Sequence, residues 1–247
     1  MSPAYLVDNF LKCGKVPSLS AKEKYSFFNM FKVALIFHIV FGSLALVIAP
    51  LAMITTKGGL WHRRWGKIYF WAMTGVALTA TILCWLGSGL FLFLVAIFSF
   101  YLAFTGYKVL RRKKPEARPD IFDWSAAGAM LLAGLALVLQ GCLSTHGQMR
   151  AVPILFGLIG LALSATDIKS FLRPSKDPRA WFYAHMTRFL AAYIATVSAF
   201  SVVNFQFLPG LWRWTWPTIV GVVGISFWRR HYVRKFQRQS AKAPAAG

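Results

Sequence analysis

Acidic residues are scarce in this chain of 247 residues, which holds 7 Asp and Glu against 28 Lys and Arg and has a net charge of +21. Charged residues together make up only 14% of the sequence, whereas a soluble domain carries about a quarter. The composition therefore excludes an ordinary soluble domain. The positive charge does not indicate a nucleic-acid partner either, because the basic residues lie in short clusters between apolar segments, as they do in the loops of membrane proteins.

Cysteine is also sparse, and the familiar catalytic motifs are missing. Cys13, Cys84 and Cys142 have no paired spacing, which excludes a Cys-x-x-Cys metal motif and a recognisable disulfide framework. Neither a Gly-x-Ser-x-Gly nucleophile elbow nor a His-Glu-x-x-His helix occurs. Residues 1–29 lack the apolar core of a signal peptide, so we expect the first membrane-spanning helix to direct insertion.

Hydrophobic residues, in contrast, make up 57% of the chain and form long segments. Seven segments are long enough to cross a bilayer as helices, at residues 30–54, 68–86, 90–110, 121–141, 151–171, 181–205 and 211–228. The sequence thus predicts an all-α fold, a polytopic transmembrane helix bundle with seven spans. Residues 1–29 are expected to form a lead and a helix extension that starts at a capping box from Ser20 to Glu23. Residues 30–230 would then form the bundle, and residues 231–247 a basic, disordered tail.

The basic residues are distributed unevenly over the two sides that seven spans create. The side that holds the C-terminus carries 21 of the 28 Lys and Arg. Because basic residues are retained in cytoplasmic loops, this asymmetry predicts an external N-terminus and a cytoplasmic C-terminus. The expected partners are the lipid bilayer and, through His62, Arg63 and Arg64, the anionic lipids of the inner leaflet.

A motif near the start of the bundle is similar to that of a known family. It comprises His38 with Gly42, Ala45-Leu46, Pro50, His62-Arg63 and Gly66-Lys67-Ile68-Tyr69, followed by Phe98-Ser99-Phe100-Tyr101 with Gly106, by Asp123-Trp124, and by His185-Met186 with Arg188, Tyr193 and Asn204. The pattern resembles a family of predicted multi-pass bacterial inner-membrane proteins of unknown function. This resemblance implies a bacterial inner-membrane location and a multi-pass topology, and it implies no particular activity.

Polar residues concentrate at the predicted cytoplasmic helix ends. Ionisable groups are costly in hydrocarbon unless they pair with one another, so we expect these residues to converge in space although they come from at least four helices. They are His62, Arg63, Tyr107, Asp123, Asp167, His185 and Arg188. The sequence assigns a catalytic role to none of them.

One functional hypothesis is that the bundle binds haem b and transfers electrons in the membrane. Helix bundles that bind haem use His from facing helices as axial ligands of the iron, and His62 with His185 would form such a pair. Arg63 and Arg188 would pair with the haem propionates, and a quinol or small reductant would be the electron donor. His38 lies about 24 Å along its helix from the inner side, so it could contribute only to a second, outer pair with His146.

Other hypotheses remain open beside haem. His38 could be a neutral imidazole that hydrogen-bonds to Gln140 or Asn204. Asp167 and Arg188 could be an ion pair between the fifth and sixth helices, and His62 with its neighbouring arginines could only anchor the protein at the interface. The protein would then be a transporter, a lipid-binding protein or an accessory protein of a membrane complex, with no redox cofactor.

Overall fold

The computed structural model describes residues 21–114, 116–144 and 147–242. These ranges contain no β-strand and fold into seven long α-helices. The helices are α1 Ala21–Ile54, α2 Leu60–Leu83, α3 Leu90–Lys108, α4 Ile121–Leu143, α5 Ala151–Leu172, α6 Ala180–Asn204 and α7 Gly210–Lys242. The predicted all-α helical bundle is confirmed.

Six of the helices in the described residues, α1 to α6, are long and apolar enough to cross a bilayer. Their outward faces carry large apolar side chains, such as Ile36, Val47 and Leu78, which suit contact with lipid rather than water. The protein is therefore a multi-pass integral membrane protein.

Helix α7 falls below the hydropathy of the other six but runs the full length of the bundle. Near its start, Trp214 packs against Phe91 at the beginning of α3, with ring centroids 5.3 Å apart. About five turns later, Tyr232 packs against Phe182 at the beginning of α6, with centroids 5.0 Å apart. Since α3 and α6 begin at opposite ends of the bundle, α7 covers the same thickness as its neighbours.

The connection between α2 and α3 shows why the chain needs glycine there. A single π-helical turn, Cys84–Ser88, follows α2. Gly87 and Gly89 adopt φ values of +102° and +98°, in the region that a Cβ atom disfavours. The chain therefore reverses within a few residues, and α2 and α3 pack as antiparallel neighbours.

The basic tail differs from its prediction. Residues 231–242 continue α7 instead of forming a disordered segment. Phe236 and Tyr232 give this part of the helix an aromatic face, and Phe236 packs against Phe182 at 5.3 Å. Packing of that face stabilises the helix. The basic composition of residues 231–242 alone does not indicate a helix. The predicted cap Ser20, together with residues 243–247, lies outside the described residues.

Candidate functional site

The polar residues of the bundle gather at one end, which we call the basic end. It is the end where residues 55–59, 112–114 with 116–120, and 173–179 connect the helices. Contacts across it join the start of α2 to the start of α6, where the His62 and His185 ring centroids are 6.3 Å apart. The end of α3 meets the start of α4 there as well, through Arg112 and Asp123 at 3.5 Å.

A cavity of about 470 Å³ opens at the basic end between α1, α2, α3, α6 and α7. Aromatic side chains form much of its wall, among them Tyr69, Tyr107, Phe189 and Trp228. Its charged lining consists of five cations, Lys57, Arg63, Lys67, Arg111 and Lys113, with no carboxylate among the described lining residues. The cavity thus combines an apolar, aromatic interior with a strongly positive rim, which favours a flat or amphipathic anion.

His62 and His185 share this cavity and are held in the same way. The Nδ1 atom of His62 is 2.9 Å from the carbonyl oxygen of Ala52 on α1. The Nδ1 atom of His185 is 2.8 Å from the carbonyl oxygen of Gly106 on α3. A carbonyl oxygen only accepts hydrogen bonds, so each Nδ1 carries a proton, and in a neutral imidazole the Nε2 atom is then the one with the free lone pair. Backbone anchoring of one ring nitrogen is how proteins orient a histidine whose other nitrogen ligates a metal.

The end of α1 explains why His62 adopts this position. The last carbonyl groups of a helix have no partner within the helix. Lys57 donates to the carbonyl oxygens of Met53 and Ala52, and His62, in the first turn of α2, donates to Ala52. Burial lowers the pKa of Lys57, and the Trp228 ring lies 5.5 Å from its ammonium group. The short loop between α1 and α2 therefore fixes both a histidine and a cation at the cavity.

Three acidic residues at the basic end, Asp120, Asp123 and Asp167, are each paired with a cation. Asp167 binds Arg188 at 2.6 Å and accepts a hydrogen bond from the Tyr101 hydroxyl. Asp123, which is buried, caps α4 together with Asp120. The hydrogen bond from Lys108 holds the pKa of the Asp120 carboxyl below its ordinary value.

The predicted polar residues consequently separate into groups. His62, Arg63, Tyr107 and His185 line the aromatic cavity. Asp167 and Arg188 do not line this cavity and form an ion pair between α5 and α6, as one of the hypotheses predicts. Arg188 is therefore not placed to contact a ligand in the aromatic cavity. Asp123 lies with Arg112 in a third group. The sequence does not assign Lys57, Lys67, Arg111 and Lys113 to this cavity, because a basic residue near a helix end is expected at the interface whether or not it lines a site.

His38 is remote from the basic end and has a structural partner. Its Nδ1 atom lies 2.9 Å from the Thr79 hydroxyl on α2. His38 therefore makes an interhelical hydrogen bond, as expected, but its partner is Thr79. Of the two partners predicted for it, Asn204 donates to the Phe200 carbonyl oxygen, and the buried Gln140 side-chain oxygen accepts no hydrogen bond from the described residues. His146 lies outside the described residues.

A bare metal ion has no cluster of ligands to bind in the part of the chain that the structure describes. No group of three or more His, Cys, Asp or Glu side chains is placed to hold one. A metal held by two histidines at the basic end would need its remaining ligands from elsewhere, as haem iron obtains them from its macrocycle.

No family model, curated protein or solved structure matches this chain.

Proposed function

We propose that this chain is a haem b-binding electron-transfer protein of the bacterial inner membrane, in which His62 and His185 would hold the haem iron. The observation that supports this best is the pair of imidazoles in one cavity, each anchored through Nδ1 to a backbone carbonyl, with ring centroids 6.3 Å apart. An iron held by both imidazoles would need their ring centres about 6 Å apart, since a metal–nitrogen bond is about 2 Å and the ring centre lies about 1 Å behind the nitrogen.

The charges of the cavity support the same ligand. Haem b carries two propionates, which need cations at the edge of the site, and an apolar macrocycle, which needs an aromatic or aliphatic slot. Arg63 and Arg111 offer planar guanidinium groups for carboxylates, and Lys57, Lys67 and Lys113 add positive charge. These residues take the role that the sequence had suggested for Arg63 together with Arg188.

Bound haem would supply one-electron redox chemistry, and the residues of this chain would hold it and control access to it. His62 and His185 would fix its position through the carbonyl groups of α1 and α3, and the aromatic wall would exclude water. With an external N-terminus and a cytoplasmic C-terminus, the site would lie at the cytoplasmic interface. A quinol or a small reductant could reach it there, and Arg63 and Arg64 would contact anionic lipid headgroups.

Absorption spectroscopy of the purified full chain tests the proposal. Protein from haem-replete cells should show a Soret band and α and β bands in the reduced-minus-oxidised spectrum. His62→Ala and His185→Ala should each abolish the sharp reduced α and β bands, because a haem iron with one protein ligand is no longer six-coordinate and low-spin. His231→Ala is the matched control, since His231 is exposed on α7 and should leave the spectrum unchanged.

Two outcomes would reject haem. One is a colourless wild-type protein, and the other is an equal loss of absorbance in all three histidine variants. The cationic, aromatic cavity would then be assigned to an anionic amphiphile, and the protein would be a lipid-binding, transport or accessory protein without a redox cofactor.

A further inference from the structure

A second, smaller cavity lies at the basic end, behind Lys113 and Trp181. Its volume is about 150 Å³, and it is formed by the ends of α3 and α5, the start of α6 and the connecting loops. Lys113 and Trp181 line both cavities. The histidines line only the larger one, so the small cavity is a separate site and its occupant does not depend on haem.

The small cavity has an excess of cations. Arg112, Lys113, Lys114 and Arg188 line it, against two carboxylates, Asp167 and Asp177. Both carboxylates already have partners, and Arg112 also pairs with Asp123 at 3.5 Å. Asp167 is bound by Arg188 and by the Tyr101 hydroxyl, and Asp177 accepts the Arg179 backbone N–H at 2.8 Å.

Two guanidinium groups in the wall hold donors that no described residue uses. Arg188 is only 6% exposed, and its Nη2 atom donates to Asp167 and to the Leu163 carbonyl oxygen. Its buried Nη1 atom has no hydrogen-bond partner, and neither has the buried Nε atom of Arg112. Buried donors in native proteins nearly always have a partner, so these two point to one that the described residues do not supply.

The start of α6 adds a further positive contribution. Ala180 and Trp181, its first two residues, line the cavity. The N–H groups of Ala180 and Phe182 already donate to the carbonyl oxygens of Asp177 and Arg179, so this helix end contributes its dipole, which favours an anion. We propose that this cavity binds a single phosphate-like oxyanion, either free inorganic phosphate or the phosphate of a phospholipid headgroup. Arg188 and Arg112 would donate to its oxygens, and Lys113 and Lys114 would balance its charge.

Thermal unfolding of the full chain in detergent, after removal of lipid, tests this proposal. The first arm compares sodium phosphate with sodium chloride at equal ionic strength, and the second adds short-chain phosphatidic acid. Ligand that binds the native state raises the melting temperature in proportion to the logarithm of its concentration above its dissociation constant. Wild-type protein should show such a rise with phosphate, with phosphatidic acid, or with both.

Three variants link the rise to the cavity. Ala184→Leu places a larger side chain on a lining residue without changing charge and should abolish the rise. Lys114→Gln removes an exposed lining cation and should weaken binding by about tenfold, because the anion loses one positive charge at its site. Lys176→Gln makes the same charge change in the next loop, at a residue that does not line the cavity, and should bind as wild type does.

The two arms separate the sources of the oxyanion. A rise with inorganic phosphate assigns a free-anion site, and a rise with phosphatidic acid alone assigns a headgroup site. The proposal is overturned if neither ligand stabilises wild-type protein beyond chloride. It is equally overturned if Ala184→Leu and Lys114→Gln, folded by circular dichroism, respond like Lys176→Gln.

Discussion

At the scale of single residues, the ionisable groups of this protein are governed by their partners. Arg188 is buried beside a half-buried Asp167, with Tyr101 bonded to the same carboxylate. A charge in such a place is tolerated because a second charge faces it, and removal of one partner leaves the other unpaired. Loss of one partner would therefore cost more free energy of unfolding than the net attraction of the pair contributes.

A double-mutant cycle at this pair should show strong coupling. Arg188→Gln alone is expected to destabilise the protein by about 3 kcal/mol, because Asp167 would remain charged and partly buried. Asp167→Asn combined with Arg188→Gln should cost less than the sum of the single changes. Unfolding in mixed micelles measures these effects, with the exposed Lys169→Gln on α5 as control. Additive effects of the two single changes would show that the residues do not interact.

At the scale of helices, α4 and α5 approach each other through glycine. A Cβ atom at Gly157 on α5 would lie 2.7 Å from the carbonyl oxygen of Gly134 on α4 and 2.9 Å from the Val138 backbone nitrogen. Backbone atoms cannot move aside as a side chain does, so no larger residue fits there. Small residues at this contact let the two helices pack closely, which is the main source of helix association in lipid.

Two glycine-to-alanine changes should therefore have opposite effects. Gly157→Ala is expected to destabilise the protein by about 1 to 3 kcal/mol, because the added methyl group forces the helices apart. A Cβ atom added at Gly128 on α4 would meet no other atom within 4 Å. Gly128→Ala should therefore be neutral or stabilising by up to about 1 kcal/mol, since Ala favours the helix. Melting temperatures in detergent measure both. Equal melting temperatures for the two variants would contradict the close packing of α4 and α5 at Gly157.

At the scale of the whole molecule, charge asymmetry and helix number together decide orientation. The basic end carries the loops with the densest positive charge and also both cavities, so topology determines which compartment the candidate sites face. Helix α7 decides the side of the C-terminus, and it spans the bundle from Trp214 to Tyr232 although its hydropathy is the lowest.

A reporter fused after Gly247 should be active in the cytoplasm, because seven crossings together with the positive-inside rule would place the C-terminus there. A paired fusion in the loop between α2 and α3 should report the periplasm. The measurement is the activity of a periplasm-dependent phosphatase and of a cytoplasm-dependent fluorescent protein at each site. Phosphatase activity at Gly247 would mean that α7 does not cross the membrane.

Composition and segment length were enough to predict the all-α bundle and the positions of its helices, because a bilayer accepts few other structures. Local sequence also placed His62 and His185 at the same end, since both follow loops on one side. Lys57, Lys67, Arg111 and Lys113 could not be assigned to the cavity, because a loop cation looks the same whether it faces lipid, water or a ligand.

Only the tertiary structure decided which polar side chains contact each other. The 6.3 Å separation of His62 and His185 and the separate pair of Asp167 with Arg188 depend on the rotation of each helix about its axis. The helicity of residues 231–242 likewise depends on Phe182, about 50 positions earlier in the chain. An apolar segment determines that a helix crosses the membrane, whereas only contacts with its neighbours determine which face each side chain turns toward them.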